Sequence, residues 1–326
     1  MAKLAIVIPA YKINFFNQSL LSIVNQTNKD FAVYIGDDCS PDNLYNIVKK
    51  YEDRISISYK YFDENLGNYN LVAHWERCID MVGEEEWIWL FSDDDMMDST
   101  CVESFFNSLT DYPGYDLYRF DLYQIDEYNN ISKERSIYPN VLSSEEFLIR
   151  RLKGKFPSFV VEYIFKKSHF LNNNRFQSFD LAWGSDDATW IKLSGKKGIR
   201  RINQSCVYWR YSKFNISSDF CDSYTIIRKL NARIAYAEWL IEYVNKNKTI
   251  LDVNSLKQEL KLWLQIIIER RIDLITFKEG MVVLSNFYRI IINKPIPKHL
   301  VLRLYIYRNY LIIKKILFNQ LFHNSH

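Results

Sequence analysis

WIWLFSDDDMMD, residues 87–98, runs an uncharged segment of strand length directly into three consecutive carboxylates. Trp87 to Phe91 suit a strand buried on both faces. Asp93, Asp94 and Asp95 then follow without spacing, although like charges so close repel one another. A solvated turn capping a helix from Ser99 tolerates such a run. A site for a hard divalent cation makes use of one, because Mg²⁺ and Mn²⁺ favour oxygen ligands.

The flanking sequence places those carboxylates. LAIVIP (4–9) is an apolar run of strand length, residues 14–26 carry a helical face, and FAVYIG (31–36) is a second strand ending at Asp37-Asp38. SPDN (40–43) predicts a Ser cap and a first-turn Pro for the next helix. ISISYKYF (55–62) is strand-like, ENLGN (64–68) turns, and 69–82 predicts helix before the strand at 87–91. This alternation predicts an α/β fold, a mostly parallel sheet with helices on both faces. Right-handed crossovers put the loops after the strands on one edge, where open α/β sheets bind ligands. Asp37-Asp38 and Asp93–Asp95 then share that edge, which favours the cation site over the inert turn.

Beyond residue 112 the pattern is mixed. DLYRFDLYQID (116–126) alternates like an edge or antiparallel strand, SSEEFLIRRL begins a capped helix, and FVVEYIF (159–165) is a strand. SDDATWIKLSG (185–195) predicts a helix with Ser at its cap and acids in the first turn, and CVYWRY (206–211) predicts a last strand. From about residue 222 the periodicity is helical, so the expected division is 1–220 and 221–326, the second part a helical C-terminal region.

Composition narrows the function classes. The chain has 326 residues, 48% hydrophobic and 16% aromatic, as in a packed globular protein. A net charge of +3 does not argue for a nucleic-acid partner. There are 9 glycines and neither a GxGxxG nor a GxxxxGKS motif, so the usual dinucleotide and P-loop signatures are absent. The 5 cysteines form no CxxC pair and read as reduced thiols of a cytoplasmic protein.

Seven stretches, VIPAYK, GDDCSPD, ENLGNYN, WLFSDDDMMD, VVEYIFKKSHF, WGSDDATWIKLS and VYWRYSKFNIS, occur in an order that resembles family-2 inverting glycosyltransferases of the GT-A fold. The resemblance covers residues 3–218. It implies a metal-dependent transferase, of hexosyl-transferring type, that moves a sugar from a UDP- or GDP-sugar donor with inversion. It implies a GT-A nucleotide-sugar-binding and catalytic domain over 1–220. The implied donor-binding residues are Pro9, Tyr11, Asp37, Asp38, Asn65, Asp93, Arg77 and Arg210, with Asp38 the preferred acceptor for a base N–H. The family's DxD motif falls on Ser92-Asp93-Asp94-Asp95 with serine in its first place, so Asp94 and Asp95 are the implied ligands of Mn²⁺ or Mg²⁺. The implied base is Asp187, with Asp186 second; read without the resemblance, both are helix caps. Family and composition together imply bacterial surface-polysaccharide synthesis, with a glycan or lipid-linked saccharide acceptor.

Met281 to His326 contains no Asp or Glu. Arg303, Arg308, Lys314 and Lys315 fall within roughly 140° of a helical wheel, with apolar residues nearly everywhere else. One reading is a helix packed on its own domain; the other is membrane-surface contact through 295–322 on the inner face of the cytoplasmic membrane. No run reaches the length of a spanning helix. Two alternatives stand beside the transferase. A degenerate transferase kept as a binding or scaffold subunit draws on Ser92. A sugar nucleotidylyltransferase lacks its Gly-rich basic loop, since PAYKINFF has neither the glycines nor an arginine.

Overall fold

The computed structural model describes residues 3–215, 222–247 and 252–323, with side chains up to residue 315. Cys221 and the tail side chains beyond Lys315 lie outside the described residues. The chain divides into two compact units, Met1–Ser218 and Asp219–His326.

The first unit is α/β. Strands β1 (Leu4–Ala10), β2 (Phe31–Asp37), β3 (Ile57–Tyr61) and β4 (Trp87–Leu90) alternate with helices α1 (Phe16–Val24), α2 (Tyr45–Val48) and α3 (Leu71–Ile79). They pair in parallel in the order β3-β2-β1-β4. Leu4 to Ile8 are wholly buried, as a strand covered on both faces requires. On α1, Phe16, Ser19, Leu20, Ile23 and Val24 repeat at helical spacing and form the buried face. A Cβ on Gly36 would lie 2.3 Å from Cys78 Sγ, so β2 and α3 approach closely only because residue 36 has no side chain.

The rest of the unit continues through β5 (Met96–Met97), α4 (Cys101–Asp111), β6 (Leu117–Ile125), β7 (Ile131–Ser136), β8 (Val141–Leu142) and α5 (Ser144–Leu152). It closes with β9 (Tyr163–Lys166), α6 (Lys167–Asn172), α7 (Ser185–Ser194) and β10 (Ile199–Arg210). Beyond β4 the sheet order is β9-β6-β10-β5, with β7 on β6 and β8 on β10. The antiparallel β9 enters between β4 and β6, while β6 and β10 run parallel. This GT-A arrangement carries the expected parallel half and adds antiparallel strands to it.

Four local expectations change. Helix α2 starts at Tyr45, and Ser40 instead closes a turn, its Oγ donating to the Tyr11 carbonyl at 2.7 Å. β6 is antiparallel to β7 and β9, one of its two readings, but it is interior and not an edge, with six consecutive buried residues, because β9 and β10 both flank it. Residues 160–162 form a 3₁₀ turn that carries Glu162 to the buried Arg119, so the strand begins only at Tyr163. The cap of α7 is Gly184 at φ +88°, not Ser185, which is its first helical residue.

The second unit is helical: α8 (Ser223–Asn247), α9 (Val253–Glu269), α10 (Phe277–Phe287), and α11 (Lys298–His323). Asp252 caps α9, and Thr276 with Glu279 forms a capping box on α10. Arg308 Nε donates to the carbonyls of Ile272 and Ile275, Arg303 pairs with Glu269 at 2.8 Å, and Lys315 pairs with Asp273. Of Arg303, Arg308, Lys314 and Lys315, three are therefore turned to their own unit. The exposed side of α11 carries Leu302, Ile306 and Ile313, with Tyr305 and Tyr310 beside them. Among the described residues no helix is long and apolar enough to cross a membrane.

Candidate active site

Parallel pairing puts the ends of β1, β2 and β4 on one edge, with Ala10 beside Asp37.

Asp93 is a tie. Its Oδ2 accepts the backbone N–H groups of Tyr11 and Lys12, each at 2.8 Å, and fastens the loop after β1 to the loop after β4. Asp38 is another: its oxygens accept from Leu66 N (2.9 Å) and Gly67 N (2.8 Å), and Arg77 donates to it as well. Gly67 permits this, since a Cβ there would sit 2.5 Å from Asp38 Oδ2. Asp37 accepts from Ser40 N and from the Tyr59 hydroxyl. Both members of this acidic pair thus hold backbone and turn groups.

Arg77 and Arg210, donor-binding residues by the resemblance, each hold neighbouring protein groups in the structure. Arg77 donates to Asp38, to the Glu64 carbonyl (2.8 Å) and to His74 Nδ1 (3.0 Å), and lies over the Phe62 ring. Burial and the Arg77 charge push His74 down to about 3, so its ring is neutral and accepts that bond. Arg210 has no exposed surface and supports the aspartate turn from within. Its N–H meets Asp95 Oδ1 at 2.7 Å, Nε meets the Asp94 carbonyl at 2.7 Å, and Nη1 meets the Asp126 carbonyl. Asn65 closes its own turn through Asn68 N, Pro9 lies within β1 opposite Gly36, and Tyr11 is 40% exposed.

Asp94 and Lys12 pair with each other through their side chains. The Lys12 ammonium is 2.6 Å from Asp94 Oδ2 and 3.7 Å from Asp93 Oδ1. Ser92, the residue in the acid's place, donates its hydroxyl to Asp94 Oδ1 and so orients it. Burial disfavours the Lys12 charge, but Asp93, Asp94 and Asp95 outweigh it and hold the ammonium above its ordinary range. Burial raises Asp93 against the pull of Lys12, and raises Asp95 further with the Asp94 charge adding to it. Sequence reasoning passed over Lys12, whose only signal was its place directly after Tyr11 at a strand end.

A divalent ion fits this donor set at Asp94, with Asp95 beside it. Among the described residues no three His, Cys, Asp or Glu side chains form a ready-made cage. Mg²⁺-type sites completed by substrate phosphates need only one or two carboxylates.

The second acidic pair stands on α7. Arg151 of α5 grips Asp187 with two prongs, Nη2 to Oδ2 at 2.7 Å and Nε to Oδ1 at 3.0 Å. Asp186 keeps partial exposure, yet burial of its carboxyl and the neighbouring Asp187 charge push it up to about 7. Stacking of Tyr163 on Trp190, centroids 4.4 Å apart, holds α7 against β9.

Comparison with known proteins gives the family and the fold. Residues 5–169 match the model of glycosyl transferase family 2, and the chain belongs to that family. It is 30% identical over 126 residues to an uncharacterized glycosyltransferase of Mycoplasma genitalium, covering 37% of this chain and 42% of that protein. It is 27% identical over 209 residues to the GalNAc(5)-diNAcBac-PP-undecaprenol beta-1,3-glucosyltransferase of Campylobacter jejuni, covering 61% of this chain and 62% of that one. The match thus spans under two thirds of either relative. Staphylococcus aureus TarS 1-349, solved in complex with UDP-GlcNAc, superposes with a TM-score of 0.64 at 14% identity, over 91% of this chain and 82% of that one.

Proposed function

We propose that this chain is an inverting glycosyltransferase that uses a nucleoside diphosphate sugar, UDP- or GDP-linked, as donor. The observation that carries the reading is Asp94, held at the parallel strand ends between the Ser92 hydroxyl and the Lys12 ammonium. The relatives add support: TarS was solved with UDP-GlcNAc, and the Campylobacter jejuni enzyme is named for a lipid-linked saccharide. A bacterial surface glycan, lipid-linked or free, is the corresponding acceptor class here.

Inverting transfer is a single displacement. The acceptor oxygen attacks the anomeric carbon opposite the leaving nucleoside diphosphate, the bond to the diphosphate breaks, and a base takes the hydroxyl proton. Of the two acids on α7, Asp186 suits that role. A carboxylate titrating at about 7 is both deprotonated and basic near neutrality, whereas Asp187 is committed to Arg151. This reverses the order read from the sequence. Tyr11, exposed beside the Asp37 and Asp38 turns, offers a ring to the nucleobase. Mn²⁺ or Mg²⁺ held by Asp94 and Asp95 would neutralise charge on the leaving diphosphate.

Titration of the chain with UDP and GDP, with and without Mn²⁺, tests the reading. Binding of one nucleotide, strengthened by the ion, is expected; the absence of binding under both conditions would favour a scaffold subunit. The exposed apolar side of α11, with the exposed Lys314 on the same helix, is the surface we assign to membrane contact. In liposome flotation with anionic vesicles, a chain truncated near residue 295 should float less than the full chain. Equal flotation removes that assignment.

A further inference from the structure

Lys12 has two separable parts in this site. Its backbone N–H belongs to the Asp93 tie, which any residue at position 12 other than proline can supply. Its side chain reaches forward to the carboxylates. That side chain is 27% exposed, against 6% for Asp93 and 5% for Asp94, so of the three it is the one most open to solvent. A diphosphate arriving from solvent finds the Lys12 side chain more accessible than the carboxylates of Asp93 and Asp94. A cation arriving alone finds Asp94 already matched at one oxygen by Lys12 and at the other by Ser92. The rest of the cluster offers little alternative, because Asp93 Oδ2 and Asp95 Oδ1 are committed to backbone N–H groups.

We propose that Lys12 couples the divalent ion to the donor: without nucleotide its ammonium holds Asp94 in place of the ion, and on donor binding it moves to the diphosphate and yields Asp94. The inference rests on the nucleoside diphosphate donor proposed above. No bond is made or broken; one ammonium exchanges a carboxylate partner for a phosphate partner, both charge-assisted hydrogen bonds. Because coupling between two ligands is reciprocal, the same exchange must make each of ion and nucleotide bind better in the presence of the other.

The test measures Mn²⁺ binding to the full chain by electron paramagnetic resonance, alone and with UDP or GDP, together with nucleotide binding in EDTA. Lys12→Gln should bind Mn²⁺ alone about tenfold more tightly than the wild type and bind nucleotide in EDTA about tenfold more weakly. Lys12→Arg keeps the charge, so its Mn²⁺ affinity alone should stay within about threefold of wild type. Adding Asp94→Asn to Lys12→Gln should abolish the gain, which locates it at Asp94. Should Lys12→Gln fail to fold, Lys12→Met keeps the stem, removes the charge and repeats the measurement. Unchanged or weaker Mn²⁺ binding in the neutral variants, with nucleotide binding intact, overturns the role of Lys12 and leaves the donor reading standing. A gain that survives Asp94→Asn overturns it as well. If no variant binds UDP or GDP, the donor reading itself fails and the coupling with it.

Discussion

Asp186→Asn is expected to lower sugar transfer by about 10²–10⁴-fold, the range that a positioned general base contributes, while nucleotide binding is unchanged. The substitution keeps the size of the side chain and removes the carboxylate of the α7 pair that Arg151 does not grip. The wild type should show its own signature. The base acts deprotonated, and burial with the Asp187 charge raises Asp186 to about 7. Activity should therefore be full above that pH and fall roughly tenfold per pH unit below it. Asp187→Asn removes the charge that raises Asp186 and frees Arg151 to lower it further, so the limb of the profile should move to lower pH. If instead Asp187→Asn abolishes transfer while Asp186→Asn turns over normally, Asp187 is the base.

The second large effect concerns stability. Arg119→Met should destabilise the first unit by about 3–5 kcal/mol, the usual cost of removing one partner from a buried ion pair. Arg119 Nε meets Glu162 Oε2 at 2.8 Å and Nη2 meets the Pro157 carbonyl at 2.7 Å, with the guanidinium 3.5 Å over the Tyr138 ring. Both residues are essentially without exposure, so the variant leaves a carboxylate enclosed with no counter-charge. Replacing Glu162 with Gln in the same chain should recover much of the loss, because the stranded charge is then gone. Chemical denaturation reads both results, and a loss below about 1 kcal/mol for Arg119→Met would mean that the pair contributes little. Activity should suffer too, since β9 and its Tyr163–Trp190 stack seat the helix that carries Asp186.

Much of this could be read from residue order. The uncharged runs at 4–9, 31–36 and 87–91 read as buried strands from their length and lack of charge, and the last two lead into acids. Their parallel pairing followed from the helices between them, and it placed Asp37-Asp38 and Asp93–Asp95 on one edge. The interior position of β6 could not be read the same way. An alternating segment looks like an edge until β9, from more than 35 residues later, is known to pair with it.

The candidate site divides along the same line. Sequence alone determined which carboxylates lie at the strand ends and that α7 opens with two acids, because strand and helix periodicities fix those positions locally. Only the tertiary structure decided what each of them does. Asp38, Asp93 and Arg210 look like ligand contacts in one dimension but act as ties, since their partners are backbone groups of loops distant in the chain. Asp186 and Asp187 are indistinguishable by position, and Arg151 from another helix separates them by engaging one. Lys12 and Asp94 lie 82 residues apart, and their contact exists because β1 and β4 pair in register. Charge and hydrogen-bond partnership are properties of space, and the chain order states only who is available for them.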